Sequence, residues 1–182
     1  GKLLTIADVM GARLTTHCGV EGVRFAVWAP CAKAVSVIAD HNGWREGELP
    51  MRRLGTSGVW ELFIPGIEEG EKYKYALLGY DDQIHIKADP HAFQGEMRPK
   101  TASVVTRVDT YAWGDEGWID RRKGEGLSRP IHIYEVHLGS WRKNPTEFPT
   151  YRDIAPELVD YCKEMRFTHV ELLPIMGPPL DE

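Results

Sequence analysis

The feature that most constrains the fold is a series of short strand-like segments in the first hundred residues, with no helical spacing of apolar residues. In Val23–Trp28, the apolar residues Val23, Phe25 and Val27 alternate and so share one face of a strand. Similar segments bounded by turn-forming residues are Val35–Ile38, Val59–Ile64, Tyr73–Leu78, Ile84–Ile86 and Ala102–Val105. Strands at this spacing predict a mainly β fold, an immunoglobulin-like antiparallel β-sandwich.

A different pattern begins after Pro130. Ile131–Leu138 is rich in β-forming residues, and Thr168–Pro174 is predicted to be a second, buried strand. A helix between them would make a βαβ unit of a parallel sheet. Because parallel strands need neighbouring strands and covering helices, we expect this unit to be a fragment of a larger, truncated α/β domain.

The helix of this unit has a predicted apolar face and an ambiguous start. Thr150–Asp153 resembles a capping box, which would begin the helix there. Pro156 would cost about 3 kcal/mol in a helix interior, which favours a regular helix that begins at Pro156 instead. The residues expected on the apolar face are Ile154, Leu158, Tyr161, Cys162 and Met165.

Composition shifts divide the chain into three regions. Residues 1–108 hold the predicted strands, and residues 109–130 form a polar connection with four glycines and two tryptophans. Residues 131–182 hold the βαβ unit. We therefore predict two domains joined by a linker that is not disordered.

Charge and cysteine content exclude several classes of function. The 182 residues carry a net charge of −5, which gives no basic footprint for nucleic acid or an anionic membrane. No apolar run is long enough to span a membrane, and no secretory signal begins the chain. The three widely spaced cysteines predict free thiols in a reducing cytoplasm and no zinc site. We expect a cytoplasmic monomer without metal or organic cofactor.

Several motifs recur in one order along the chain. The most specific are Ile133–Trp141 (IYEVHLGSW) and Phe167–Pro174 (FTHVELLP). The other motifs of this series are Val23–Pro30, His41–Trp44, Gly58–Gly66, Lys72–Tyr75, Lys87–Phe93 and Arg98–Ser103. From about Val9 to Met176, this sequence resembles the N-terminal part of bacterial glycogen (1,4-α-glucan) branching enzymes.

The resemblance implies an isoamylase-type carbohydrate-binding module ahead of an α-amylase-type (β/α)₈ barrel. Ile131–Leu138 and Thr168–Pro174 would be the first two barrel strands. The family transfers an α-1,4-glucan segment to a 6-hydroxyl, using three carboxylates that follow the fourth, fifth and seventh strands. No catalytic residue is therefore expected in this chain, which alone would be inactive and at most a glucan-binding module.

Three residues are the candidate carbohydrate contacts. Trp44 lies at a turn beside Asn42, where an exposed indole could stack on glucose, and the matching Trp of related modules does so. Lys74 matches a lysine that donates to sugar hydroxyls. The alternatives are a Trp44 folded back onto the sandwich and a solvated Lys74. A second Trp typical of such modules, expected near Gln83 or Ile84, is absent.

The remaining aromatic and polar residues are given structural roles. Trp28 and Trp60 are predicted to lie in the core, and Trp141 to pack its loop against the sandwich. Glu135 and His137 are expected to be a buried, hydrogen-bonded pair.

The sequence departs from the family in the last part of the chain. Arg166 stands where a helix-ending Gly is usual, so a left-handed backbone there would cost about 1 kcal/mol. Gly177–Leu180 replaces an expected Glu-His-Pro-Phe run. Both departures count against a barrel function for this chain.

Three functions remain open. The chain could be a branching-enzyme fragment that is active only in the full-length protein, a non-catalytic glucan-binding module, or a structural brace that binds no sugar. A debranching enzyme or trehalohydrolase would share the module, but the run Glu135–Trp141 favours branching.

Overall fold

The computed structural model describes residues 6–108, 110–124, 129–142 and 149–175. The chain divides into two compact units, residues 1–112 and residues 113–182. The first unit begins with a short helix, α1 (Ile6–Val9). Its strands are β1 (Gly11–His17), β2 (Val20–Trp28), β3 (Ala34–Ala39), β4 (Leu49–Pro50), β5 (Arg52–Arg53), β6 (Val59–Pro65), β7 (Lys72–Leu78), β8 (Ile84–Lys87), β9 (Gln94–Gly95) and β10 (Ser103–Val104).

These strands form two antiparallel sheets. The first sheet has the order β1-β2-β6-β5, and the second has the order β4-β3-β7-β10-β9, with β8 also paired to β7. The predicted inner face of β2 is confirmed, since Val23, Phe25 and Val27 are all buried in one apolar cluster. The cluster also contains Val37 of β3. Each such side chain stabilises the fold by about 1.5–3 kcal/mol on burial. The mainly β sandwich is confirmed.

Strand β1 was not predicted from the sequence. It pairs with β2 along its whole length, from Gly11 opposite Ala26 to His17 opposite Val20. Only Ala12 and Leu14 contribute apolar side chains to the core cluster from this strand. Two apolar positions in seven residues are too few to mark a strand by alternation.

A buried carboxylate closes one end of the core. Asp89 accepts hydrogen bonds from the hydroxyls of Tyr73, at 2.6 Å, and Tyr75, at 3.1 Å. The backbone N–H of His91 donates to its other oxygen at 2.8 Å, and the N–H of Asp89 donates to Ser103 Oγ at 2.8 Å. The Tyr73 ring packs edge-on against Phe25 of the other sheet, with centroids 5.0 Å apart. The network therefore connects the segment after β8 to both sheets.

Burial changes the acidity of the two tyrosines. It raises the pKa of Tyr73 and of Tyr75 well above the ordinary value, and the negative charge of Asp89 raises both further. Both hydroxyls therefore stay protonated into the alkaline range, where an ordinary tyrosine ionises, and donate to the carboxylate.

The second unit is a small α/β arrangement. It contains α2 (Glu116–Gly124), β11 (Ile133–Val136), α3 (Tyr151–Glu164) and β12 (His169–Leu172). Strands β11 and β12 are parallel, with Ile133 opposite His169 and Val136 opposite Leu172. The predicted strand–helix–strand order is confirmed. Helix α2 lies within the region predicted to be a connection, and none of its side chains is buried.

The expectation that α3 begins at Pro156 is wrong. The helix begins at Tyr151, where Thr150 and Asp153 form a capping box, and Pro156 is its sixth residue. The Asp153 carboxylate accepts from the Thr150 backbone N–H at 2.9 Å and from its hydroxyl at 2.6 Å. These hydrogen bonds lower the pKa of Asp153. Two satisfied backbone donors at the first turn stabilise the earlier start despite the proline.

The expectation that β12 is buried is also wrong. All four of its residues are exposed, and α3 instead covers Val136 of β11. The helix residues in this cluster are Ile154, Leu158 and Cys162, with Tyr161 partly buried, as predicted. Met165 was expected on the same face but is half exposed, because it follows the last helical residue.

Glu135 and His137 do not form the expected buried pair. Both are exposed, and His137 Nδ1 instead lies 2.8 Å from Ser140 Oγ. Trp141 packs within its own unit, with its Nε1–H donating to the Tyr134 hydroxyl at 3.1 Å. The segment after β11 turns back onto this strand, which brings Trp141 to Tyr134 and His137 to Ser140.

The backbone conformation of Arg166 and the free state of the three cysteines agree with the predictions made from the sequence. Arg166 has a φ of 57°, so it takes the left-handed conformation expected after the helix. Cys18, Cys31 and Cys162 are all free. The departure at residues 177–180 lies outside the described residues.

Alkaline pH should destabilise the protein through Tyr73 and Tyr75. Their pKa values are raised in the folded state, so above about pH 10 the unfolded chain releases protons that the folded chain retains. The free energy of unfolding should then fall by about 2.7 kcal/mol per pH unit, about half of it from each tyrosine. Urea denaturation at increasing alkaline pH measures this slope. Tyr73→Phe should halve it, and an unchanged slope in that variant would contradict the assignment.

Replacement of Arg166 by glycine should stabilise the second unit. The chain takes a left-handed backbone at position 166, which costs about 1 kcal/mol for a residue with a Cβ atom, and glycine relieves most of this cost. Thermal unfolding of Arg166→Gly should therefore show a higher midpoint than the wild type. Arg166→Ala keeps the strain and serves as the control. Equal midpoints for the Gly and Ala variants would show that the conformation is not strained.

Candidate functional site

The candidate site is built on the loop that follows β3. Asp40–Asn42 forms a single 3₁₀ turn, and Gly43 and Trp44 both have a φ of 61°. The Gly43 N–H donates to the Asp40 carbonyl at 3.1 Å, and the Trp44 N–H donates to the Ala39 carbonyl at 2.9 Å. Glycine takes this conformation freely, but Trp44 does so at a cost of about 1–2 kcal/mol.

Asn42 shapes this loop from the inside. Its side chain is buried, its Oδ1 accepts from the Ala39 N–H at 3.0 Å, and its Nδ2 donates to the Arg45 carbonyl at 2.8 Å. The amide therefore joins the start of the loop to its end. Both polar atoms are used within the loop, so Asn42 acts by fixing where Trp44 projects.

Trp44 lies at the surface with a fixed ring edge. Its side chain is 36% exposed, and its Nε1–H donates to Asp40 Oδ1 at 2.8 Å. The other Asp40 oxygen lies 3.9 Å from the ammonium of Lys72 on β7. Of the two alternatives drawn from the sequence, the structure shows the exposed indole and not one folded back into the core, and Asp40 holds one edge of the ring.

Lys74 lies at the same end of the β3–β7 pair as the loop. Its backbone is opposite Ile38, two residues before Asp40. The side chain is half-buried, and its Nζ donates to Thr101 Oγ1 at 2.7 Å. Thr101 was not singled out from the sequence, since only the pairing of β7 with β10 brings it close. The ammonium keeps two further protons for hydrogen bonds to a ligand.

The other end of the β7–β8 hairpin holds aliphatic residues. Ile84 pairs with Leu78, and both Ile84 and Ile86 are about half exposed. This is the region where the sequence lacks the second tryptophan of related modules. Neither Gln83 nor Ile84 supplies the expected ring, and the exposed aromatic residue of the adjacent turn is Tyr80.

Two further tryptophans had been assigned to the core. Trp60 is buried, as predicted, and its Nε1–H donates to the Ala29 carbonyl at 3.0 Å. The prediction for Trp28 is wrong, because its side chain is 61% exposed. Trp28 follows Val27 on a strand whose odd-numbered residues face inward, so alternation already directed it outward.

The candidate site is an open surface. Two surface grooves of about 530 and 450 Å³ are lined by residues of β1, β2, β5 and β6 and of the segments after β6 and β10, and neither includes Trp44 or Lys74. Neither groove is lined by a tryptophan, so neither provides the stacking surface for a sugar ring that an exposed indole provides. A flat, accessible platform also suits a long polymer better than an enclosed pocket does.

Comparison with known proteins places this geometry in a family. Residues 9–92, which include the loop and Lys74, match the model of carbohydrate-binding module 48, the isoamylase N-terminal domain. Residues 9–92 are therefore similar to this family of modules. The matched range contains the first sheet, strands β3, β4, β7 and β8 of the second sheet, and the Trp44 loop.

Nearly the whole chain also matches larger proteins. It is 52% identical to the 1,4-alpha-glucan branching enzyme of Protochlamydia amoebophila over 95% of this chain and 24% of that protein. For the enzyme of Pseudomonas aeruginosa the identity is 49%, over 98% of this chain and 25% of that protein. The chain thus spans about a quarter of the length of these relatives. It corresponds to the N-terminal part of a branching enzyme.

Solved structures support the fold. A pullulanase from Klebsiella pneumoniae complexed with maltotriose is 26% identical, with a TM-score of 0.63, over 92% of this chain and 18% of that chain. The branching enzymes are far closer in sequence, which agrees with the motif Glu135–Trp141. Among the residues that the structure describes, no helix is long and apolar enough to cross a membrane.

Asn42→Ala should destabilise the module through its loop. The change leaves the buried Ala39 N–H without its acceptor and removes the bond to the Arg45 carbonyl, so we expect a loss of about 2 kcal/mol in the free energy of unfolding. Urea denaturation measures this loss. Asn42→Asp keeps the acceptor alone and should fall between the two proteins. Wild-type stability in the alanine variant would contradict a loop-shaping role.

Proposed function

We propose that the module binds α-glucan chains on the surface formed by Trp44, Lys74 and Thr101. The observation that carries the proposal is the indole of Trp44, which is partly exposed and fixed at one edge by Asp40. A pyranose ring presents a face of C–H groups that packs on such an aromatic ring. Because the Nε1–H is already bonded to Asp40, the contact to sugar would be through the ring face.

Lys74 would supply the polar part of the contact. Its ammonium is oriented by Thr101 and retains donors for sugar hydroxyls. Asn42 would contribute indirectly, by holding the loop. The similarity of residues 9–92 to a carbohydrate-binding module supports a carbohydrate as the ligand class.

We further propose that the longer protein is a 1,4-α-glucan branching enzyme of glycogen biosynthesis. Residues 1–108 would be the module, residues 109–130 the connection, and residues 131–182 the first βαβ unit of its (β/α)₈ barrel. The parallel pairing of β11 with β12 supports the last assignment. The catalytic carboxylates would follow later strands, so this chain would be a binding unit without branching activity of its own. We assign it to the cytoplasm as a monomer.

The competing proposal is a brace for the barrel that binds no sugar. The absence of a tryptophan at Gln83 or Ile84, where the resemblance led us to expect a second one, favours this alternative. The two proposals differ in whether the isolated chain has any affinity for glucan.

Native affinity electrophoresis in gels with and without glycogen separates the two proposals. The wild-type chain should be retarded by glycogen, and Trp44→Ala should weaken binding about tenfold, or about 1.4 kcal/mol, because the stacking platform is lost. Lys74→Met keeps the apolar stem and should weaken binding less. Tyr80→Ala removes an exposed aromatic at the β7–β8 turn and is the matched control.

The outcomes are distinct. Stronger retardation of wild type and Tyr80→Ala than of Trp44→Ala would support the binding proposal. Equal mobility of all proteins with and without glycogen would overturn it and leave the brace.

A further inference from the structure

Trp28 is unusually accessible for a tryptophan in a β-sandwich. It is the last residue of β2, it projects from the outer face of the first sheet, and 61% of its side chain is exposed. Tryptophan is highly buried on average. The core of this unit is complete without it, since Val27 and Trp60 fill the adjacent inner positions. The exposure therefore has no structural reason in the packing of the sheet.

The indole is held in place at one edge. Its Nε1–H donates to the Ser57 carbonyl at 3.2 Å. A Cβ atom on Gly58 would lie 3.1 Å from this nitrogen and 2.8 Å from Pro30 Cβ, so the ring edge packs tightly against the turn before β6. Most of the ring surface stays accessible to a ligand without any rearrangement.

The strand register places charged residues on the face of the sheet from which Trp28 projects. Trp28 is opposite Val59 on β6, and Glu61, two residues further, is opposite Arg52 on β5. Glu61 is thus a diagonal neighbour of Trp28, a spacing of about 7–8 Å that long side chains bridge. The Arg52 guanidinium donates to the Glu61 carboxylate and is itself largely exposed. The pair offers fixed donors and acceptors beside an aromatic surface.

This combination suits a sugar better than a protein. Leu54, in the segment before β6, is an exposed apolar side chain, and Val20 is half exposed at the other end of β2 from Trp28. The outer face also holds the partly buried Val59 and Phe63, among charged and polar residues such as Arg24 and Thr15. A protein partner would need a broader apolar centre. One ring face with a guanidinium and a carboxylate matches a pyranose, whose C–H face stacks while its hydroxyls donate and accept.

We propose that Trp28, Glu61 and Arg52 form a second α-glucan contact on the sheet opposite the Trp44 loop. The ligand class rests on the proposed function of the module. Because the two surfaces are on different sheets, one chain could engage two segments of a branched glucan. Such paired binding raises avidity for a polymer far above that for a short oligosaccharide.

Indole N–H signals of the ¹⁵N-labelled, 182-residue chain test this proposal during titration with maltoheptaose. Trp28→Phe and Trp44→Phe assign the two signals. We expect saturable shifts for both Trp28 and Trp44 in the wild type. Two controls should stay unshifted: Trp60, which is buried, and Trp113, which is 74% exposed but lies outside residues 9–92.

Variants separate this inference from the proposed function. In Trp44→Ala, the Trp28 signal should still shift, and Glu61→Gln should raise the maltoheptaose concentration needed to saturate Trp28 several-fold without changing Trp44. A shift of Trp44 with no shift of Trp28 would overturn the second contact and leave the proposed function intact. Absence of both shifts would overturn both. Equal shifts of Trp113 would show nonspecific contact and overturn the second site.

Discussion

The buried Asp89 carboxylate determines how the outer surface of the second sheet is arranged. It accepts from Tyr73 and Tyr75, which fixes the inward face of β7. Because side chains alternate along a strand, Lys74 between them must project outward. Strand β3 is paired with this part of β7, so the loop that carries Trp44 begins beside it. A charge inside the core thereby places both candidate sugar contacts outside it.

The sandwich could be predicted because its central strands repeat apolar residues every second position. The same rule failed for β1, because few of its inward-facing positions hold apolar residues and its outward-facing positions are polar. Trp60 and Trp28 show the limit of residue type as evidence. Both are tryptophans on neighbouring strands, but strand parity directs one into the core and the other to solvent. Thr101 could not be found, since its contact with Lys74 depends on pairing between distant segments.

In the second unit, the features that depend on neighbouring residues were predicted better than the burial of the strands. The apolar face of α3 follows from the spacing of its own residues, whereas the left-handed conformation of Arg166 was expected from the family resemblance, in which a glycine ends the helix there. The helix start was misjudged because the proline penalty was weighted above the capping box. The apolar residues of β12 suggested a buried strand, but burial depends on what lies against a strand. Within the described residues, only β11 pairs with it.

The conformation of the Trp44 loop has a thermodynamic consequence. The ring is already held by Asp40, and the backbone by Asn42, before any ligand arrives. The conformational entropy of ordering this platform is lost when the chain folds, so binding would not have to order it again. A glucan would meet a rigid surface, and selection among polysaccharides would depend on whether their own shape already fits. The cost of any adjustment would then fall on the sugar chain.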